Sequence, residues 1–430
     1  MRVQNYKMIA TTALRKDALG ILEAGLDAIE TSKVIKDTVV FRDEQLFIRG
    51  KKISLKGIRR IFVIGIGKCA LEAGAAIERI LGDRLAGGIV LDVQGKKLHR
   101  ITSLVGTHPF MSEINIDVTR EIIDLLKDMR KDDLVLFLIS GGGSALLCQP
   151  GNFTCRDEVT IVRCLFAAGV PIEEMNTIRK HLSYARGGWL AKYAYPARVI
   201  SLIFSDVPGD DTEFIASGPT VRDTTTVADA KKFLDKYRIW SKCFLRPVSL
   251  IETPKEKKYF TKVTNAVVVS NTTALTAMKT EAQRRGYRAV IKTATFAGEA
   301  KRLGPKIAKE LAKEKPKTVL LYGGESTVTL INKPGKGGRN QELVLAALPY
   351  LTKGQCLLSF DTDGRDNTDF GGAIGDLRTV RTAETLRLDP TNYLAAEENN
   401  SYFFFQKVKD YIRTGNTGSN ISDIIIAIKD

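Results

Sequence analysis

The chain alternates short apolar runs with glycine-rich or acidic turns and amphipathic stretches, and this rhythm recurs along most of its length. Residues 61–66 form a β-branched run that opens into Gly67 and Lys68, and the following Ala70–Leu81 stretch has helical spacing. Residues 134–139 lead into Ser140, Gly141, Gly142, Gly143 and Ser144, and residues 199–204 lead into Ser205, Asp206, Val207, Pro208 and Gly209. A second set follows. Residues 266–269 run into Ser270, Asn271, Thr272 and Thr273 and a helix through Gly286; residues 319–322 run into Gly323, Gly324 and Glu325. Residues 356–360 run into Asp361, Thr362, Asp363 and Gly364. Strands that are apolar throughout are covered on both faces, which predicts parallel sheets wrapped by helices.

A chain of 430 residues exceeds a comfortable single core, so two domains are expected. The stretch 240–262, with two prolines and a Lys/Glu cluster, reads as the crossing between them. The predicted fold is α/β: two domains with largely parallel, Rossmann-like sheets, at 1–243 and 263–430, with a linker at about 244–262. Open parallel sheets bind ligands beyond the carboxyl ends of their strands, and every polar turn above follows a strand. The expectation is an active-site cleft between the domains.

Lys and Arg together exceed Asp and Glu by 16. A field of that sign suits nucleic acid or a basic enzyme with anionic substrates. The basic residues are dispersed, with only short clusters such as Lys255 to Lys258, and no zinc-finger or RNA-recognition signature is present. The enzyme reading is therefore preferred, with small-molecule partners, no nucleic acid and no membrane. No apolar run approaches the roughly 20 residues that span a bilayer. The first fifteen residues lack a signal-peptide core, so a cytoplasmic location is expected. The six cysteines form no CxxC pair and read as reduced, mostly buried thiols. With three histidines, a His-built metal site is a poor expectation, and any metal should be held by oxygen. Assembly is open, with a homodimer as the candidate.

Several turns carry candidate chemistry. In Ser140-Gly141-Gly142-Gly143-Ser144 the glycines let backbone approach a ligand, and a following helix start would favour phosphate or carboxylate. The same turn also serves as a tight strand-to-helix corner without a ligand. Gly65-Ile66-Gly67-Lys68 has Ala70 where a dinucleotide fingerprint needs glycine. A lysine at a helix start opposes the dipole unless an anion offsets it, which makes Lys68 a candidate phosphate contact. Arg179, Lys180 and His181 group two cations and an imidazole, and arginine can grip a carboxylate bidentately. Asp206, near Asp210 and Asp211, and Asp363, near Asp361, Asp366 and Asp369, supply carboxylates at two strand ends. Such groups hold Mg²⁺ or orient a hydroxyl, and they also cap their own turns. Glu325, Arg339 and Asn340 lie on or beside glycine-rich segments, where Arg339 is placed to clamp a transferring phosphoryl group.

Taken together, these blocks resemble the type II glycerate kinase family, whose C-terminal half is called the MOFRL domain. The resemblance rests on Gly65-Ile66-Gly67-Lys68, His108-Pro109, Ser140 to Leu146, Arg179 to Ser183 with Gly187-Gly188, and Ser205 to Asp211. It continues through Ser217-Gly218-Pro219-Thr220, Gly323-Gly324-Glu325, Gly338 to Glu342 and Thr362-Asp363-Gly364. It implies phosphorylation of D-glycerate from ATP with Mg²⁺, commonly to 2-phosphoglycerate, and family lysine and arginine roles fall on Lys68 and Arg339. Two departures are Phe110-Met111-Ser112 after His108-Pro109, and Asn416 to Asn420 near the end. The resulting assignment makes Lys68, Arg339, Asp206 and Asp363 catalytic. Ser140, Gly141, Gly142, Gly143, Ser144 and Glu325 bind ATP or phosphate. Arg179, Lys180, His181 and Asn340 bind substrate, and Asp206 and Asp363 hold metal. The competing readings are an NAD(P)H-dependent hydroxypyruvate reductase and a basic nucleic-acid-binding protein.

Overall fold

A computed structural model describes residues 1–207, 209–329, 335–394 and 399–430, so Pro208 of the Ser205–Gly209 turn lies outside the described residues. The chain divides into two compact units. The first is built around a parallel sheet and comprises residues 31–205 and 210–268; the second comprises residues 1–30, 206–209 and 269–430. These bounds differ from the expected ones at both ends. Residues 244–262 do not link domains but belong to the first unit. Leu245, Val248 and Leu250 cover an apolar cluster that includes Met175, Ile178 and Leu234, and the Ile251 N–H donates to the His181 carbonyl (2.8 Å).

In the first unit a small antiparallel meander, β1 (Val39–Arg42), β2 (Gln45–Ile48) and β3 (Lys51–Ile53), precedes a six-stranded sheet. That sheet contains β4 (Arg60–Ile66), β5 (Leu85–Asp92), β6 (Ile101–Val105), β7 (Asp133–Ile139), β8 (Arg198–Phe204) and β9 (Val263–Val269), in the order β6-β5-β4-β7-β8-β9. The pairings from β6 through β8 are parallel. All seven residues of β7 are buried, as a strand covered on both faces requires. The run at 266–269, expected in the second sheet, is instead the end of β9 at the edge of the first.

The second unit holds β10 (Arg288–Glu299), β11 (Thr318–Thr327), β12 (Gln355–Asp361), β13 (Gly372–Asp376), β14 (Tyr411–Ile412) and β15 (Asp423–Lys429), ordered β10-β11-β15-β12-β13-β14. This sheet is mixed rather than largely parallel. Among the described residues the β10–β11 pairing alone is parallel, and β15 runs antiparallel between β11 and β12.

The cysteines also depart from expectation. The helix Cys155–Ala167 and the turn Ile239–Lys242 pack over one apolar cluster and bring the Cys164 and Cys243 Cα atoms to 6.3 Å, where a disulfide joins them. Cys69, Cys148, Cys155 and Cys356 lie outside the disulfide and are buried.

The N-terminal helix Ala13–Ala28 buries Ala18, Leu19, Ile21, Leu22 and Leu26, and Thr12 caps it by accepting from the Arg15 N–H. Arg15 is fully buried and explains why this helix joins the second unit. Its guanidinium grips Asp376 (Nε, 2.7 Å; Nη2, 2.8 Å), Asp410 and the Thr379 hydroxyl (2.8 Å). Burial works against this charge, but the bonds to Asp410 and Asp376 outweigh it and raise the Arg15 pKa. Removing the cation strands two carboxylates in the interior. Arg15→Ala is therefore expected to lower stability by roughly 3–5 kcal/mol, read from urea unfolding followed by circular dichroism.

Candidate functional site

In the first unit the chain leaves β4 toward β5 and β6, then returns to pair β7 on the other side of β4. Such a reversal leaves a crevice at the carboxyl ends of the two central strands. The Gly65–Lys68 turn follows β4, and the Ser140–Ser144 turn follows β7. Gly67 has φ +120°, and a Cβ there would lie 2.3 Å from Ser140 Oγ and 2.5 Å from its carbonyl oxygen, so only glycine fits. The Lys68 N–H donates to the Gly141 carbonyl (3.0 Å), and the Cys69 N–H donates to Ser140 Oγ (3.1 Å). Gly142 has φ +82°, and a Cβ on it would stand 3.2 Å from both Lys68 Cγ and His108 Cδ2. Lys68, His108 and the glycine turn therefore converge.

Two details amend the expectations for these turns. The Ser140 hydroxyl is buried and occupied by the Cys69 N–H, so it serves the turn rather than a ligand. The helix after the turn is a single one, Gly143–Leu146, too short to add a substantial dipole. Anion affinity would rest on the turn's own N–H groups.

Asp92 ends β5 and accepts from the N–H groups of Leu71 (2.9 Å), Val93 (2.6 Å) and Gln94 (3.2 Å). It thus occupies the start of helix Ala70–Leu81. The helix start next to Lys68 already has a carboxylate, which weakens the dipole argument for a ligand anion at Lys68. The same carboxylate already accepts from the Leu71 N–H, one of the helix-start donors that a Rossmann turn offers to a dinucleotide's pyrophosphate.

Helix Ile172–Lys180 and the turn after it behave differently from expectation. Lys180 is buried and its ammonium contacts Asp223 and Glu213, each at 3.1 Å. His181 is fully buried, with Nδ1 donating to the Ile251 carbonyl (2.8 Å) and Nε2 3.2 Å from the Thr225 hydroxyl. Burial pushes its pKa down, so it stays neutral. Both residues therefore hold the segment together and are withdrawn from substrate binding. Arg179 remains the open cation: half-buried, with its Nε lacking a hydrogen-bond partner among the described residues. Burial, then the neighbouring Arg186, brings its pKa down to about 9, which still leaves it charged at neutral pH. Buried Arg186, paired with Glu158, donates to the Leu147 carbonyl (2.8 Å) and the Arg179 carbonyl (3.2 Å).

In the second unit Arg339 opens helix Arg339–Ala347, just after Gly338. The pairing of β15 between β11 and β12 sets Asp423 opposite both Gly324 and Asp361. Arg339 reaches Asp423 (Nε, 2.7 Å; Nη2, 3.0 Å), Asp361 (Nη2, 3.0 Å) and Glu325 (Nη1, 2.7 Å). Burial disfavours the guanidinium charge, but Asp423 and then Glu325 and Asp361 more than restore it. One cation cannot neutralise three carboxylates. Burial and then Asp423 push the Asp361 carboxyl well above the usual range, and burial raises the Asp423 carboxyl as well, so this pair holds protons more tightly than free carboxylates do. The Glu325 side chain is 47% exposed, whereas Asp361 and Asp423 are enclosed, so Glu325 is the exchangeable partner. A cavity of about 460 Å³ lies here, lined by Glu325, Ser326, Thr327, Lys336 and Arg339 among others.

Asn340 is buried and donates to Asp423 (2.8 Å) while accepting from Ser359, which withdraws it from substrate binding. Asp363 accepts from the Arg365 N–H (2.8 Å) and is half-buried. Asp206 is half-buried beyond β8 and falls in the second unit. Among the described residues no group of three or more His, Cys, Asp or Glu side chains is arranged to hold a metal. Mg²⁺ commonly needs only one or two carboxylates beside phosphate and water, and half-buried Asp206 and Asp363 are hard oxygen donors of that kind.

Residues 17–250 match a domain of unknown function, DUF4147, and residues 318–423 match the MOFRL family. The chain is 37% identical to the glycerate 2-kinase of Pyrococcus horikoshii, over 96% of this chain and 97% of that one. It belongs to the glycerate kinase family. The crystal structure of the Thermotoga maritima glycerate kinase superposes with a TM-score of 0.82 at 31% identity, covering 96% of this chain and 99% of that one. A protein of Agrobacterium vitis provisionally named a hydroxypyruvate reductase is 36% identical over 85% of this chain and 98% of its own.

Within this family framework the sequence reading misses Asp423, Asp92 and the Arg186–Glu158 pair, and it names Ser217 only as part of the Ser217–Thr220 block. Asp423 precedes the apolar residues 424–428, and a carboxylate at the start of a buried run is the signal that could have found it. Helix Arg339–Ala347 also contains Glu342, whose pKa burial pushes up to about 7 against the pull of Lys301. The folded state binds this proton more tightly than the unfolded chain does. The stabilisation it gives is complete below the ordinary carboxylate pKa and is lost as pH rises through about 7. Glu342→Gln is expected to exceed the wild type in stability at about pH 8, with the gap closing toward about pH 4, as urea midpoints across pH will show.

Proposed function

We propose that this chain transfers the γ-phosphoryl group of ATP to D-glycerate, giving 2-phosphoglycerate and ADP. The observation that carries the reading is the near full-length kinship with a glycerate 2-kinase at 37% identity. The geometry supports it: a glycine turn with Lys68 and His108 beside it, and a cavity faced by Arg339.

Phosphoryl transfer asks a protein chiefly to position reactants and to offset charge on the transferring group. N–H groups of Gly141, Gly142 and Ser144 are assigned to an ATP phosphate, since that of Gly143 donates to the Ser140 carbonyl, and Lys68 and Arg339 are assigned to the developing charge. Arg339 would meet a phosphoryl oxygen through Nη1, exchanging Glu325 for it, while Asp423 keeps Nε and Nη2 in place. Arg179 is the grip for the glycerate carboxylate, bidentate as that pairing favours. Asp206 and Asp363 are the carboxylates that would hold Mg²⁺, and the ion would supply positive charge to offset that of the phosphates. The partners are small molecules, and the location consistent with an ATP-fed reaction is the cytoplasm. No helix among the described residues is long and apolar enough to cross a membrane.

The reductase reading is favoured by the names of two relatives and opposed by the incomplete dinucleotide fingerprint, with Ala70 where a third glycine is needed. One assay separates the two. ATP, Mg²⁺ and D-glycerate should yield glycerate-dependent ADP, while hydroxypyruvate should not oxidise NADH or NADPH. Reversal of both outcomes would replace the kinase with the reductase. Lys68→Ala and Arg339→Ala are each expected to lower kcat by about 10²–10⁴ at saturating substrates. Full turnover in both would remove these two from charge stabilisation.

A further inference from the structure

Behind the glycine turn lies a chain of hydroxyl and amide groups that the reaction scheme above does not use. Ser144 Oγ is 2.9 Å from Ser217 Oγ, and Ser217 Oγ donates to Asn176 Oδ1 (2.7 Å). Ser217 and Asn176 are buried, whereas Ser144 is half-buried. A hydroxyl has one hydrogen to give, and an amide oxygen can only accept. The Ser217 hydrogen is therefore committed to Asn176, which obliges Ser144 to donate to Ser217. Ser144 Oγ is left with lone pairs and no hydrogen for a ligand.

The backbone fixes the place of Ser217. Ala216, Ser217 and Gly218 stand in the left-handed region in succession, with φ of +51°, +57° and +59°. Non-glycine residues hold such a conformation only where their surroundings impose it, and such sites cluster where function needs a fixed geometry. Here the Gly187 N–H donates to the Ser217 carbonyl and the Gly188 N–H to the Gly218 carbonyl, both at 2.8 Å. On the opposite side Ala216 fills the space beside Gly143, where a Cβ would come within 2.5 Å of the alanine methyl. Hydrogen bonds from Gly187 and Gly188 and the close packing of Ala216 on Gly143 hold Ser217 beside Ser144.

We infer that Ser144 is a specificity-determining residue whose side chain accepts a hydrogen bond from a hydroxyl of the hydroxy-acid substrate, with Ser217 and Asn176 as positioning residues that fix its polarity. A phosphate oxygen at neutral pH is chiefly an acceptor and has nothing to offer such a side chain, whereas an alcohol does. This amends the phosphate role expected for the Ser144 side chain and leaves phosphate to the backbone N–H groups. The inference rests on the glycerate-kinase reading and deepens it.

The test is steady-state kinetics of the full chain with ATP, Mg²⁺ and D-glycerate. Ser144→Ala is expected to raise the KM for glycerate or lower kcat/KM for it by about tenfold to hundredfold, leaving the KM for ATP nearly unchanged. Ser217→Ala should show the same split more weakly, and adding it to Ser144→Ala should cost little more, since Ser217 acts through Ser144. Asn176→Ala removes the accepting oxygen and frees the Ser217 hydrogen, so it should show the same split as Ser217→Ala, which retains a readout should Ser217→Ala fail to fold. A higher KM for ATP with unchanged glycerate kinetics in Ser144→Ala would overturn the inference alone and return Ser144 to phosphate. Fully additive losses in the double variant would reduce Ser217 to a structural residue and overturn its positioning role. A wild type without glycerate-dependent ADP release would overturn the kinase reading and this inference with it.

Discussion

The contact on which the first unit's site depends is the close approach of the Gly67 turn to Ser140. Parallel pairing of β4 with β7 carries both chains to the same edge of the sheet, and the reversal of winding leaves no strand between them. The turns must then pass at a distance that no side chain tolerates, which is why glycine stands at 67. Hydrogen bonds from Lys68 and Cys69 to the second turn hold the approach. From it follow the placement of Gly142 between the Lys68 stem and the His108 ring, and of Gly143 against the left-handed Ala216 turn.

The second unit solves its problem by charge. Inserting β15 between β11 and β12 puts Asp423 and Asp361 side by side at one sheet edge, where two buried carboxylates are tolerable only with a cation and hydrogen-bond donors between them. Arg339 and Asn340, consecutive at a helix start, meet that need. The surplus of negative charge leaves Glu325, the exposed partner, as the one we propose gives way to a phosphoryl group. Arg339 is thus oriented before any ligand arrives, and rigid pre-orientation is what electrostatic catalysis asks of a charged group.

The strands of the first sheet are legible in the sequence because a strand covered on both faces is apolar at every position, as at 134–139. The glycine turns are legible for the same reason: they interrupt those runs. Asp423 is hidden because an antiparallel strand brings its beginning, not its end, to the functional edge. Lys180, His181 and Asn340 look like ligand contacts in one dimension because interior ion pairs and hydrogen-bonded networks use the same residue types. Only burial and the partners Asp223, Ile251 and Asp423 reveal the difference. The N-terminal helix joins the C-terminal unit through Arg15, whose carboxylate partners lie 361 and 395 residues further along, beyond any local pattern.

The central claim is that these two sets of groups serve phosphoryl transfer to the 2-hydroxyl of D-glycerate. Proton-coupled ³¹P NMR of the product formed from ATP and D-glycerate tests it most directly. The account predicts a phosphomonoester doublet, since phosphorus on the 2-oxygen couples to a single methine proton. A triplet, from coupling to a methylene pair, would contradict the 2-position, and no glycerate-dependent phosphomonoester at all would contradict the kinase.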